Sequence, residues 1–177
     1  MRSEVRHLRK HIFDFIYNII LQQDFQSVLE IGPMMIEWTP VKDFYVDTRA
    51  KFKERNVDYL SVDHDSSSRA DIICDVVDIN NRIDKTFDGI LALDVIEHVA
   101  EIWKVPKIFY DLLNEKGKLF ISTPYYFYYH SPFPDYWRLS EDAIQLLFGK
   151  YFEVDIYKLC LEDDRKPLHF NVVCTKR

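Results

Sequence analysis

Four short apolar segments of this chain each run into an acidic residue, and that pattern constrains the fold more than any other feature. Val28-Leu29 leads into Glu30, Tyr59 to Val62 stops at Asp63, Ile72 to Cys74 stops at Asp75, and Phe87 to Leu93 stops at Asp94. Short, mostly apolar runs bounded by polar residues read as strands buried on both faces. The first of them, Ser27 to Ile31, ends in the turn Gly32-Pro33, which brings backbone N–H groups and a carboxylate to one edge of a sheet.

Helical patterns separate these strands. From Ser3 to Gln22, Val5, Leu8, Ile12, Phe15, Ile16 and Ile19 fall on one side of an amphipathic helix. Asp47 to Asn56 reads as a charged helix, and Ile102 to Leu113 as another that Lys116-Gly117 stops. Ser140 caps a helix reaching Phe148, with Ala143 where Glu would complete a capping box. Lys118 to Ser122, Phe152 to Leu159 and Phe170 to Thr175 read as further strands, the last two joined by the charged turn Glu162 to Lys166. Parallel strands need crossover connections, so the alternation predicts an α/β fold. Its sheet is doubly wound, seven-stranded and mostly parallel, with an antiparallel last strand and helices on both faces. Ligands of such sheets bind beyond the carboxyl ends of the strands, where strand order switches. That edge holds Glu30, Asp63, Asp75 and Asp94, while Asp71, Asp78 and Asp88 are assigned to turns.

Composition sets outer bounds. With 177 residues, 47% of them hydrophobic, residues 1–177 are expected to form a single domain, a helix over 1–24 preceding a core over 25–177. A net charge of -6 and a pI near 5.5 argue against a general nucleic-acid surface. Arg2, Arg6, Arg9 and Lys10 recur at helical spacing beside Glu4 and read as a solvated helix face. Cys74, Cys160 and Cys174 form no CxxC pair and are expected as reduced thiols. The apolar run Ile12 to Leu21 is broken by Asp14, Tyr17 and Asn18, so neither a membrane span nor a signal peptide is read there. The expected compartment is the cytoplasm, without a membrane or nucleic-acid partner.

The glycine-rich dinucleotide fingerprint fails, because Met34 stands two positions after Gly32. Other motifs continue in order: Ser61-Val62-Asp63, Ala70 to Asp75, Phe87-Asp88-Gly89-Ile90, Val95-Ile96-Glu97-His98-Val99 and Gly117 to Pro124. Together with Val28 to Gly32 they resemble the class I S-adenosylmethionine-dependent methyltransferases, and more closely the type 11 methyltransferase domain, from about Ser27 to Thr175. The resemblance implies a Rossmann-like fold and S-adenosyl-L-methionine as cofactor. It places Glu30, Gly32 and Pro33 beside the methionine part, and Asp63, with His64 beside it, at the ribose hydroxyls. Asp75 and Val76 fall on the adenine side, and Asp94 faces the transferred methyl or the amino group. Carboxylates are acceptor-only, which suits Asp63 to a vicinal diol. The Gly32 to Asp63 interval exceeds the about 20 residues of dinucleotide folds, an excess attributed to the aromatic loop Trp38 to Tyr45. Met34 must turn away from the cofactor or narrow its pocket.

The segment Thr123 to Ser140 holds a dense aromatic run with three prolines, Pro124, Pro132 and Pro134, which excludes a regular helix or a central strand. It is expected as a rigid loop, residues 124–139, over the site. His130, the prolines and Asp135-Tyr136-Trp137-Arg138 resemble the form found in methyltransferases of polysaccharide and sugar pathways. Tyr125, Tyr129 and Tyr136 would then face sugar rings, while His130, Asp135 and Arg138 fix hydroxyls. The alternative is that Asp135 and Arg138 form an ion pair pinning the loop.

Methyl transfer to a hydroxyl needs alignment and one general base. His130 is the first candidate, since histidine titrates near neutrality. His98 is second, with Asp94 or Asp135 orienting either. Glu97, His98, His130 and Asp135 also have the ligand chemistry of a divalent metal site, but no tight spacing such as HExxH marks one, and metal dependence is not favoured. The reading is an O-methyltransferase acting on a sugar, glycan or other small hydroxylated molecule. Two other classes stand beside it: a noncatalytic binding module of the same fold, and a protein or nucleic-acid methyltransferase. The acidic charge and the lack of an Asn-Pro-Pro-Tyr motif disfavour the last. Little chain is left for a substrate cap, so a second copy in a homodimer is expected to complete the pocket.

Overall fold

A computed structural model describes residues 3–37 and 39–177. Their core is one seven-stranded sheet in the order β3-β2-β1-β4-β5-β7-β6. The strands are β1 (Ser27–Ile31), β2 (Asp58–Asp63), β3 (Ile72–Ile73), β4 (Phe87–Leu93), β5 (Leu113–Pro124), β6 (Phe152–Leu159) and β7 (His169–Lys176). Neighbours from β3 to β5 pair parallel, and β7 lies antiparallel between β5 and β6. This is the doubly wound arrangement expected of the alternation, with β7 as the reversed strand.

Side-chain alternation divides the core into two layers. Leu29, Ile31, Ile90, Ala92, Leu119, Ile121, Phe170 and Val172 point to one face, which α3 (Val105–Leu112) and α4 (Glu141–Phe148) cover. Val28, Leu91, Phe120 and Val173 point to the other, covered by α1 (Ser3–Phe15) and α2 (Thr48–Glu54). Period-2 geometry therefore sends Glu30, between Leu29 and Ile31, toward the α1 and α2 side. Ser122 and His169 follow the parity of Phe120 and Val173 and face the same way.

Local chemistry explains the element ends. Ser140 caps α4 by accepting from the Ala143 N–H at 3.2 Å, and Asp47 caps α2 by accepting from Ala50 at 2.9 Å. The first helix departs from the expected single amphipathic run. After Phe15 it widens into a π-helical turn over Ile16–Ile20, closed by Leu21 N–H to Ile16 O at 2.8 Å. A π turn shifts the helical face by one residue, so Ile20 is buried where Ile19 was expected. Of the basic cluster, Arg2 lies outside the described residues.

The helix stop at Lys116-Gly117 is also revised. β5 starts directly after α3, with Leu113 beside Phe87 and Lys118 beside Gly89. The irregular segment between these pairs carries Lys116 at φ +62°. Two acids read as turn formers act as braces instead. Asp71 receives Arg49 through both oxygens, at 2.9 and 3.0 Å, and accepts from the Ser61 N–H at 2.9 Å, fixing α2 to β2. Asp88 accepts from the N–H groups of Gln26 and Ser27 at 2.9 and 3.0 Å and from Asn114 Nδ2 at 2.7 Å, tying the starts of β1, β4 and β5. Replacing Asp88 with Ala strands two backbone donors. The expected loss is about 2–3 kcal/mol of unfolding free energy, measured by urea denaturation; a loss near zero would remove this brace from the account.

Candidate functional site

The strand order reverses direction between β1 and β4, so the carboxyl ends of these two strands and their neighbours form the expected ligand edge. At the end of β1, Gly32 sits at φ +64° and donates its N–H to Val62 O at 2.8 Å. A Cβ there would stand 2.8 Å from a Val95 methyl, so only glycine allows the turn to pass so close to the β4 end. Pro33 and Met34 follow. Gly32, Glu30, Met34 and Leu93 line a cavity of about 40 Å³ that Arg9 and Ile12 of α1 close from the other side. Ordinary small-molecule pockets measure about 300–1,000 Å³. Met34 is part of the cavity's wall, with Thr39, Phe44, Tyr45 and Val46 of the segment that follows. Trp38 of the expected aromatic loop lies outside the described residues.

Glu30 is buried and accepts hydrogen bonds from the hydroxyls of Thr48 and Tyr59. Burial raises its pKa, and these two hydrogen bonds act against that rise. Asp63, at the end of β2, is 7% exposed, and its Oδ1 accepts from the Asp65 N–H at 2.9 Å. Exposed His64 approaches the same oxygen at 3.4 Å. Asp75 caps the 3₁₀ turn Val76–Asn81 by accepting from Val77 N–H at 3.0 Å, and Val76 begins that turn. Its own N–H has no partner within the helix, as at any helix start.

Asp94 closes β4 at φ +53°. Its carboxylate accepts from Ser122 Oγ at 3.0 Å, meets His169 Nε2 at 2.9 Å and lies 3.5 Å from the Arg9 guanidinium. Burial alone would raise its pKa, but His169 and Arg9 hold it well below the ordinary carboxylate range. His169 in turn meets His11 Nδ1 at 3.2 Å. Arg9 therefore does not belong to a solvated face: with His11 it flanks the apolar stripe of α1 and reaches the strand ends. His11 and His169 were not singled out from the sequence, and Arg9 was read only as part of the basic helix face. The signal for His169 is a histidine opening an otherwise apolar strand, and it points to no particular partner.

A second group gathers beside Asp94. Residues Ile96–His98 form a 3₁₀ turn after β4. The aromatic loop returns over it, with the N–H groups of Tyr136 and Trp137 donating to Glu97 O at 2.8 and 3.1 Å and Trp137 Nε1 donating to Val99 O at 2.8 Å. This brings His130 to His98, ring centroids 5.3 Å apart. One ligand atom each of Glu97, His98 and His130 lies within 4.8 Å of the others. Glu97 is fully buried, and burial followed by the nearby Asp94 charge pushes its pKa well above the carboxylate range. His98 is held below its ordinary value, chiefly by burial.

Asp135 stands 4.0 Å from His130 but is committed elsewhere. Both oxygens receive Arg138, at 2.6 Å each, and one also accepts the His130 N–H at 2.9 Å. Against the upward push of burial, these contacts bring Asp135 down to about 2. Arg138 also donates to the carbonyls of Phe127, Tyr128 and Trp137, so the pair pins the loop. Of the tyrosines, Tyr125 packs on Phe170 with its N–H bonded to Leu168 O, whereas Tyr129 and Tyr136 are 66% and 50% exposed. Tyr129 stacks on Phe133 at 4.9 Å.

No protein-family model matches the chain, and no curated protein matches its sequence. Solved structures do match its fold. A SAM-dependent methyltransferase from Archaeoglobus fulgidus is 14% identical, with 95% of this chain and 94% of that one covered and a TM-score of 0.67. The methyltransferase domain of a bacterial protein, CtHen1-CN, is 15% identical over 95% and 99% of the two chains, also at 0.67. The N-methyltransferase NodS from Bradyrhizobium japonicum WM9, in complex with S-adenosyl-L-homocysteine, is 10% identical over 97% and 85%, at 0.59. The chain therefore has the Rossmann-like methyltransferase fold. No helix among the described residues is long and apolar enough to cross a membrane.

The Arg9, His11 and His169 network predicts a pH effect. Burial, then His169, lowers His11 from its ordinary 6.5 to about 4. The unfolded chain therefore takes up a proton near pH 6.5 that the folded chain refuses until about 4. His11's share of stability is complete above pH 6.5 and falls as pH drops from 6.5 toward 4. Urea denaturation at pH 7.5, 6 and 5 should show this loss, and His11→Gln should flatten it; an unchanged slope would contradict the assignment.

Proposed function

We propose that this protein is an S-adenosyl-L-methionine-dependent methyltransferase whose acceptor is a hydroxyl of a sugar, glycan or similar small molecule. The observation that carries the reading is the edge itself. A positive-φ glycine turn ends β1, a shielded carboxylate ends β2, and a 3₁₀ turn capped by Asp75 follows β3, all on the fold of known methyltransferases.

These groups fit the cofactor chemically. Backbone at Gly32 would approach the cofactor without a side chain between, and Asp63 would accept from two ribose hydroxyls. Val76 N–H and Asp75 suit an adenine edge, one donating and the other accepting. The cavity of about 40 Å³ beside Glu30, Gly32 and Met34 covers only the methionine end of this edge. When bound, the cofactor supplies an electrophilic methyl on a sulfonium. The chain's task is to hold the acceptor in line, exclude water and draw the proton from its hydroxyl. Glu97, His98 and His130 gather beside the end of β4, and His130, the most exposed of them, is assigned the proton. Exposed Tyr129 and Tyr136 offer flat apolar faces to a sugar ring.

Calorimetry with S-adenosyl-L-methionine should give saturable one-to-one binding; folded protein with no detectable binding would overturn the reading in favour of a noncatalytic module. Asp63→Asn should weaken binding about 10–100-fold, the worth of a hydrogen bond to a charged group. His130→Ala should abolish release of S-adenosylhomocysteine with sugar acceptors while cofactor affinity survives. Retained turnover would exclude His130 from proton removal.

A further inference from the structure

We infer that Glu97, His98 and His130 form a binding site for one divalent first-row transition-metal ion. The argument starts from unmet hydrogen bonding. Both carboxylate oxygens of Glu97 and the Nε2 of His98 are shielded from solvent with no hydrogen-bond partner among the described residues. The closest approach between them, Glu97 Oε1 to His98 Nε2, is 3.8 Å, too long for a hydrogen bond. Protonating Glu97 does not resolve this, because its O–H would still lack an acceptor at bonding distance. Buried polar groups of this kind are rare, and each calls for a ligand or a role.

The two histidines are set up as ligands by their other nitrogen. His98 Nδ1 lies 3.0 Å from Pro134 O, and His130 Nδ1 lies 3.0 Å from Ser131 O. A carbonyl oxygen only accepts, so each Nδ1 must carry the proton. In the neutral imidazole each Nε2 is then the lone pair a metal requires, held by the outer hydrogen bond seen behind metal-bound histidines. Three ligand atoms within 4.8 Å of one another need shifts of only about 1 Å to reach metal–ligand distances of about 2.0–2.2 Å.

The donor set selects the ion. Two imidazoles and one carboxylate suit Zn²⁺, Co²⁺, Mn²⁺ or Fe²⁺, while Mg²⁺ and Ca²⁺ prefer all-oxygen shells. Asp135 is not a fourth ligand, since both its oxygens hold Arg138. It positions His130 by accepting that residue's N–H. Nor is Asp94, whose carboxylate is held by Ser122, His169 and Arg9. Three protein ligands leave coordination positions for an exogenous oxygen, the composition of catalytic rather than structural sites. That such an oxygen is the acceptor hydroxyl, activated by the ion in place of a free His130, rests on the methyl-transfer reading. The metal site itself does not.

The test uses the full chain, stripped with a chelator and titrated with Co²⁺, followed by visible absorption and calorimetry. The expected result is one Co²⁺ per chain, displaced by Zn²⁺ but not by equimolar Mg²⁺, with no thiolate charge-transfer band. Glu97→Gln and His130→Gln should each weaken binding tenfold or more, and His7→Ala, on the exposed side of α1, should leave it unchanged. Circular dichroism checks the fold, and His130→Gln on the loop serves if Glu97→Gln does not fold. Absence of saturable Co²⁺ binding, or binding that survives the folded variants, overturns the site. Titrating S-adenosylhomocysteine into chelated and Co²⁺-loaded protein in parallel separates failure of the metal site from failure of the cofactor reading.

Discussion

One partly buried carboxylate, Asp94, joins the parts of the ligand edge. Its backbone N–H bonds to Ser122 O, and its side chain holds Ser122, His169 and Arg9, so β4, β5, β7 and α1 meet at a single charge. Removing one partner of a buried ion pair typically costs about 3–5 kcal/mol, because the other charge is left unpaired. Asp94 also occupies the left-handed region, where Asp is tolerated better than most residues. The chain needs both properties at one position, a turn after β4 and an acceptor aimed at three neighbours.

The sheet was legible in the sequence because burial on both faces leaves a plain signal. β1, β4 and β6 begin and end where their apolar and alternating patterns do. What the pattern does not carry is tertiary in origin. The π turn at Ile16–Ile20 depends on which residues α1 must present to the strands, and periodicity alone reads straight through it. The early start of β5 depends on Leu113 finding Phe87, a pairing that lies inside what reads as the helix end. Asp71 and Asp88 look like turn formers in sequence, since nothing local shows that Arg49, Gln26 and Ser27 will come to them.

The site was legible by neighbourhood and less so by network. Strand ends named the edge, and Glu97-His98 stood out as adjacent polar residues after an apolar strand. His130 joins them only because β5 runs parallel to β4 and the loop after it folds back, fixed by Tyr136 and Trp137 on Glu97 O. Arg138 and Asp135 are close in sequence, and both a substrate contact and an internal pair were open to them. The bidentate geometry at 2.6 Å and the three carbonyls around Arg138 describe a clamp that holds the loop against the turn. Such a clamp keeps His130 at a fixed distance from His98, which neither aromatic stacking nor loop composition would specify.

The covering of the edge by α1 follows from the same charge. The exposed pair Arg6 and Asp43 contributes at most about 1 kcal/mol to holding α1 against the segment 33–46. The cover therefore rests on the apolar stripe Leu8, Ile12 and Phe15 and on Arg9 beside Asp94. Arg9 is a poor permanent partner: it lies 3.5 Å away, and its Nε is buried without a hydrogen bond. A ligand that brings positive charge to Asp94 competes with Arg9 for one carboxylate. On the methyl-transfer reading the cofactor carries such charge, on its amino group and its sulfonium, so it and Arg9 would compete for the same carboxylate at Asp94.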